Sequence, residues 1–276
     1  MASYLKDHTW KMMVETLVCN NRLRYYEEIL RYALEHEYKV ISLEKFFSLD
    51  DRRSGKHLIL RHDVDWNGVS TKKMYETEKK WNVDSTYYFR FTTIDKELIK
   101  SMKSDGFDVG LHFENIADHI KENQISDAAE IDLEDMRVRF SEDVNRFEQI
   151  VGFKINSCCS HGDRANVDLG ISNNVITENC DMSRFGLLFE AYDQSMYKND
   201  IDCHVMDCTV TAHYGYAYAD TPIKAMQEGH QNILFLSHPN HWWLNGIDRI
   251  KRMRTIICGK AKCGVSTREF ERIEQP

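Results

Sequence analysis

The chain of 276 residues predicts an α/β fold built on a largely parallel sheet, either open and doubly wound or closed into a barrel. Three observations predict it. Runs of strand composition alternate with segments of helical periodicity along most of the chain. The run Leu58-Ile59-Leu60 is continuously apolar, the pattern of a strand covered on both faces. Three prolines and 13 glycines leave no linker-like stretch, and no repeat or low-complexity tract interrupts the sequence, so one domain is expected.

Taken in order, Leu23, Tyr26, Ile29, Leu30, Ala33 and Leu34 recur at helical spacing and predict a helix over 21–37, with a short strand at 39–43. The first main strand is expected at 56–65. A helical pattern over 69–81 precedes Ser85-Thr86-Tyr87-Tyr88-Phe89-Arg90, whose aromatic and β-branched composition suits a strand. Helix is expected at 95–103, strand at 107–113, a long helix at 126–150 and strand at 155–161. The stretch 163–184 carries no clear period. Strands at 185–190, 203–208 and 233–237 bring the number from residue 56 onward to seven. Residues 1–55 then form a helical and strand extension packed on a catalytic unit spanning 56–276.

The net charge of −8 argues against a nucleic-acid backbone or an anionic membrane as the main partner. The basic run Lys251-Arg252-Met253-Arg254 reads as a solvated helix face. Residues 1–18 place Lys6, Asp7, His8, Lys11 and Glu15 among apolar positions, so no leader-type apolar core forms. No run reaches the ~18 apolar residues of a membrane span. A cytoplasmic location follows as the expectation, and the eight cysteines suit it as reduced thiols. The pairs Cys203/Cys208 and Cys258/Cys263 are too widely spaced for a zinc ribbon, and no structural zinc is expected there.

The chemistry collects at strand ends. Asp63 and Asp65 close the first main strand, His112 the third, His161 the fourth, and His238 follows the seventh. In parallel α/β folds those ends open on one crevice, so two carboxylates and three imidazoles share a rim. Residues two apart in a strand face the same side, so Asp63 and Asp65 point to one site while His62 points away. Two adjacent carboxylates repel unless a cation or a shared proton intervenes. One Asp with two His is a natural cradle for a divalent ion, leaving the second Asp as general base. Singly, such histidines are ordinary surface groups and such aspartates ordinary helix caps. Their concurrence on one rim argues for a site.

These residues resemble the polysaccharide deacetylase superfamily (carbohydrate esterase family four and its relatives), over roughly residues 56–243. Arg61-His62-Asp63-Val64-Asp65 resembles the family's first motif, Asp108-Val109-Gly110-Leu111-His112 its second, and residues 233–238 its last. The resemblance implies a distorted (β/α) barrel of about seven parallel strands. It further implies Asp63 as base, Asp65 and His112 as metal ligands, and His238 as general acid. The family's second motif carries another histidine four residues on, where this chain has Ile116. His119 is seven residues past His112, about 10 Å along a helix, so His161 is the better second ligand, with Glu114 and His119 as alternatives. Arg164 lies near the family's base-steadying Arg without its flanking context, and Arg61 or Arg90 suit the same task. Asp207 is placed to orient such an Arg or line the pocket; Glu114, Asp207 and Trp242 are candidate substrate contacts, with Trp243 beside Trp242 as a stacking wall.

The function so implied is metal-dependent removal of an N-acetyl or related acyl group from a small saccharide or sugar conjugate, in surface-polysaccharide biosynthesis. Zn²⁺ suits the donor set, with Co²⁺, Ni²⁺ or Mn²⁺ as alternatives. Neither nucleic-acid binding nor membrane insertion is expected. Hydrolysis of another C–N bond, such as a cyclic amide, and a non-catalytic glycan-binding module are the rival readings.

Overall fold

The computed structural model describes residues 22–66, 69–207, 220–247 and 250. Residues 1–18, Cys208, the 251–254 run and the Cys258/Cys263 pair lie outside the described residues. Among the described residues no helix is long and apolar enough to cross a membrane.

Among the described residues eight strands form one sheet: β1 (Lys39–Ser42), β2 (His57–Val64), β3 (Thr86–Phe89), β4 (Asp108–Phe113), β5 (Ser157–Ser160), β6 (Phe189–Glu190), β7 (Cys203–Met206) and β8 (Asn232–Ser237). Seven of them run in the order β6-β5-β4-β3-β2-β8-β7, and β1 pairs with the first half of β2. All pairings are parallel. The sheet curls into a half-barrel with helices around it, the distorted α/β barrel expected. Every main strand read from the sequence is present, though the one expected at 185–190 shrinks to two residues. The 3-10 turn Met182–Phe185 ends there on Gly186 at φ 72°, which keeps the preceding chain out of the sheet.

The helices differ more at their ends than in their existence. The long helix expected at 126–150 begins at Leu133, because Asp132 accepts the Glu134 and Asp135 amides as N-cap; a separate 3-10 turn, Ala128–Glu130, precedes it. The illegible 163–184 stretch contains a short helix, Arg164–Leu169, and two 3-10 turns.

Strand alternation splits the interior into two apolar clusters. Leu58, Leu60, Val64, Tyr87, Phe89, Val109, Leu111, Phe113, Cys158, Ile233 and Phe235 face the surrounding helices. Ile59, Tyr88, Cys159, Phe189 and Leu234 face the barrel interior. By the same alternation Arg61, Asp63, His112 and His161 project inward. Gly110 makes room for that interior. A Cβ there would stand 2.5 Å from the Tyr88 ring and from the Ser157 carbonyl, and Tyr88 Oη bonds Ser157 Oγ at 3.0 Å. The barrel bottom is thereby filled, and the polar groups are left to the C-terminal strand ends.

Candidate active site

β2, β4, β5 and β8 bring Asp63, Asp65, His112, His161 and His238 together. His112 Nε2 lies 3.3 Å from Asp65 Oδ1 and 3.7 Å from Asp63 Oδ2. His161 Nε2 lies 3.5 Å from Asp65 Oδ1, and His238 Nε2 lies 3.6 Å from Asp65 Oδ2. Burial by itself would raise the Asp65 carboxyl, but the imidazoles of His161, His238 and His112 outweigh it and hold the group well below the usual carboxylate range.

Each histidine is set from behind. His112 Nδ1 lies 3.1 Å from the Cys159 carbonyl, which only accepts, so Nδ1 carries a proton and Nε2 is the nitrogen that faces the site. His161 Nδ1 lies 3.1 Å from Glu114 Oε1, an ion-pair distance without good hydrogen-bond alignment. Glu114 is itself held by a two-pronged bond from Arg90, at 2.8 and 2.7 Å. A carbonyl or carboxylate behind a ligating imidazole is the usual outer arrangement of metal sites.

The donor set fits a divalent ion. Asp65 Oδ1 is buried and takes no hydrogen bond, although two imidazole nitrogens stand around it. Asp65, His112 and His161 each offer one ligand atom to a common point. Their separations of 3.3 and 3.5 Å to Asp65 Oδ1 match the edge of about 3.4 Å that a tetrahedron with 2.1 Å bonds would have.

Asp63 has a different partner. Arg61, 0% exposed, bonds both its oxygens, Nε to Oδ1 at 3.0 Å and Nη2 to Oδ2 at 2.8 Å. The guanidinium also reaches Cys159 Sγ at 2.7 Å and lies 4.1 Å above the Tyr192 ring. Burial opposes the Asp63 charge, but Arg61 first, then His112, lower its pKa and keep it ionised.

His238 faces the same point from β8, as N-cap of the short helix Pro239–Trp242. Its Nδ1 lies 2.6 Å from Asp207 Oδ1, and its backbone N–H donates to Asp207 Oδ2 at 2.7 Å. Burial would lower the His238 pKa; the Asp207 carboxylate, then Asp65 and Asp63, raise it to about 10.

Several sequence-based expectations need correction. Arg164 does not reach Asp63; its side chain is 65% exposed and pairs with Asp168 one turn along its own helix. Trp242 is no substrate wall. It is 0% exposed, packs against Tyr26 and Phe235, and donates its indole N–H to Asp207 Oδ2 at 2.8 Å. Asp207 orients His238 rather than an arginine, and Glu114 supports His161 rather than lining the pocket. The alternative ligand His119 bonds Asn123 on its own helix, away from Asp65. Three residues escaped the sequence reading: Cys159 on β5, whose parity with His161 just past the strand was a usable signal; Glu190, which accepts the Ser160 and Tyr192 amides; and Asn173, for which no local signal exists.

No known family profile and no curated protein matches the chain. Among solved structures it is similar to the catalytic domain of a peptidoglycan N-acetylglucosamine deacetylase from Eubacterium rectale, at 18% identity and a TM-score of 0.46, covering 76% of this chain and 86% of that one. It is also similar to a family 4 carbohydrate esterase from Streptomyces lividans (15% identity, TM-score 0.41, 75% and 90% covered). A third is a CE4 family pseudoenzyme from Bacillus anthracis, at 13% identity and a TM-score of 0.43; the match covers 77% of this chain and spans only 63% of the pseudoenzyme's length.

Proposed function

We propose that this chain is a divalent-metal-dependent hydrolase of the polysaccharide deacetylase type, removing an N-acetyl or related acyl group from a saccharide or sugar conjugate. The observation that carries the reading is the Asp65 carboxylate, whose buried Oδ1 meets the Nε2 atoms of His112 and His161 without a hydrogen bond. Asp65, His112 and His161 would hold the ion, with Zn²⁺ suiting one Asp and two His. When bound, such an ion supplies Lewis-acid polarisation of the acyl carbonyl and acidifies a water.

The chain's own groups divide the proton transfers. Asp63 is kept ionised and oriented by Arg61, with lone pairs left over after the two guanidinium bonds, so it takes the proton from water. His238, held in the charged form by Asp207 against Nδ1, presents Nε2 to the same space and gives its own Nε2 proton to the departing nitrogen. Base and acid come from the adjacent strands β2 and β8, and the ligand histidines from β4 and β5.

The test is metal content beside turnover. Purified protein should carry about one divalent ion per chain and release acetate from a panel of N-acetylated saccharides. The Asp65→Ala/His112→Ala double variant should lose both. Wild-type protein that takes up no ion, even with excess Zn²⁺, would sink the metal reading. An ion bound without acetate release, but with ring opening of a cyclic amide, would replace the substrate class.

A further inference from the structure

Asn173 opens the 3-10 turn Asn173–Ile176, 12 residues after His161 and 57 after Ile116, and it is 1% exposed. Its amide is fully engaged. Oδ1 accepts the Ile116 and Ala117 backbone N–H groups at 2.9 and 3.1 Å. Nδ2 donates to the His161 carbonyl at 2.6 Å and to Asn166 Oδ1 at 3.0 Å.

Those bonds join the first turn of the helix that follows β4 to the backbone of His161, just past β5. The helix Asn115–Asn123 begins two residues after β4, with Glu114 as its N-cap, yet Glu114 gives no side-chain cap. Its carboxylate is turned instead to Arg90 and His161. The first amides of a helix need an acceptor, and Asn173 supplies one from outside the helix. The same amide fixes the carbonyl of His161, whose N–H already donates to Phe113 O at 2.9 Å.

We propose that Asn173 is a positioning residue for the ion site. By capping the helix that follows Glu114 and holding the His161 backbone with one planar group, it fixes Glu114 relative to His161. His161 Nε2 is thereby aimed at Asp65. The inference rests on the metal-hydrolase reading above.

Asn173→Asp tests it. The carboxylate keeps both acceptor bonds to Ile116 and Ala117, so the helix start survives, while the donor to His161 O becomes an acceptor. Zn²⁺ affinity is measured by competition with a chromophoric chelator, and the visible spectrum of the Co²⁺-loaded protein reports ligand geometry. Asn166→Ala serves as control, since it loosens the same segment and leaves the Asn173–His161 bond in place.

Asn173→Asp should bind Zn²⁺ about ten-fold or more weakly and shift the Co²⁺ bands, while Asn166→Ala stays near wild type in both. Wild-type affinity and an unchanged Co²⁺ spectrum in folded Asn173→Asp would overturn the assignment and leave the metal reading standing. Equal weakening in Asn166→Ala would also overturn it, showing general loosening rather than positioning. A wild type that takes up no ion overturns the metal reading and this assignment with it.

Discussion

The two faces of β2 carry buried ionisable groups one residue apart, and they are built in opposite ways. Facing the helices, His62 Nε2 meets Glu78 Oε1 at 2.6 Å, and its Nδ1 meets Ser237 Oγ at 2.7 Å. Glu78, 0% exposed, also accepts Tyr26 Oη at 2.5 Å, Ser85 Oγ at 2.8 Å and Tyr87 Oη at 2.6 Å. Four donors fill the roughly four lone-pair positions of a carboxylate, two on each oxygen. Facing the barrel interior, Asp63 is bound by Arg61, but Asp65 Oδ1 has no hydrogen bond and is ringed by imidazole nitrogens. A cluster whose donors and acceptors balance is structure. One in which a carboxylate oxygen and imidazole nitrogens converge without a hydrogen bond is a place for a cation.

The sharpest way to break this contrast is within the inner face, where Asp63 and Asp65 have been given different tasks. Asp63→Asn keeps the shape and removes the proton acceptor. Turnover should fall by about 10²–10⁴-fold while the metal content stays at the wild-type level. Metal content and acetate release measured on one preparation decide it. Loss of the ion would move Asp63 into the ligand set, and turnover within ten-fold of wild type would remove it as base.

What was legible in the sequence follows the same division. The strands could be read because burial on both faces leaves unbroken apolar runs, and Asp63, Asp65, His112, His161 and His238 because they close such runs. Arg61 shares the parity of Asp63, so its pairing was within reach of the alternation rule, whereas Arg164 was suggested only by resemblance. The supports were not legible. Glu114, Asp207 and Trp242 looked like pocket residues because sequence gives position along a strand but not which way a side chain turns after the strand ends. Trp242 turns back onto Tyr26 and Phe235, between sheet and helices, because Pro239 starts a short helix there. Asn173 acts across 57 positions, through an amide in a segment with no period to read.

On the outer face, Glu78→Gln should cost about 3 kcal/mol of stability, because an amide cannot accept from all four donors and leaves His62 without its buried charge partner. The ion content should not change. Burial alone would raise the Glu78 carboxyl; His62 first, then the Tyr26 and Tyr87 hydroxyls, overcome it and lower the pKa from the usual 4.5. A depressed carboxylate stabilises the fold at pH values above its unfolded pKa, and that contribution disappears as pH falls through the lower folded value. Urea unfolding should therefore show a constant gap between wild type and variant at neutral pH, shrinking below about 4.5. A variant of unchanged stability that has lost its ion would erase the distinction between the two faces.

The smallest effect expected is at Arg164, and it sharpens the comparison because the residue was a sequence candidate for steadying the base. A guanidinium that matters to Asp63 must be buried with it; Arg61 is 0% exposed and bonds both carboxylate oxygens, whereas the Arg164 side chain is 65% exposed and pairs with Asp168 four residues on. Exposed pairs of that kind contribute little. Arg164→Ala should leave turnover, metal content and pH profile at wild-type values, with stability within about 0.5 kcal/mol. A loss of turnover with the ion retained would mean that Arg164 reaches the site during the reaction. Arg61 would then be a structural ion pair filling the barrel interior, and the inner face of β2 would resemble its outer face more closely than the geometry indicates.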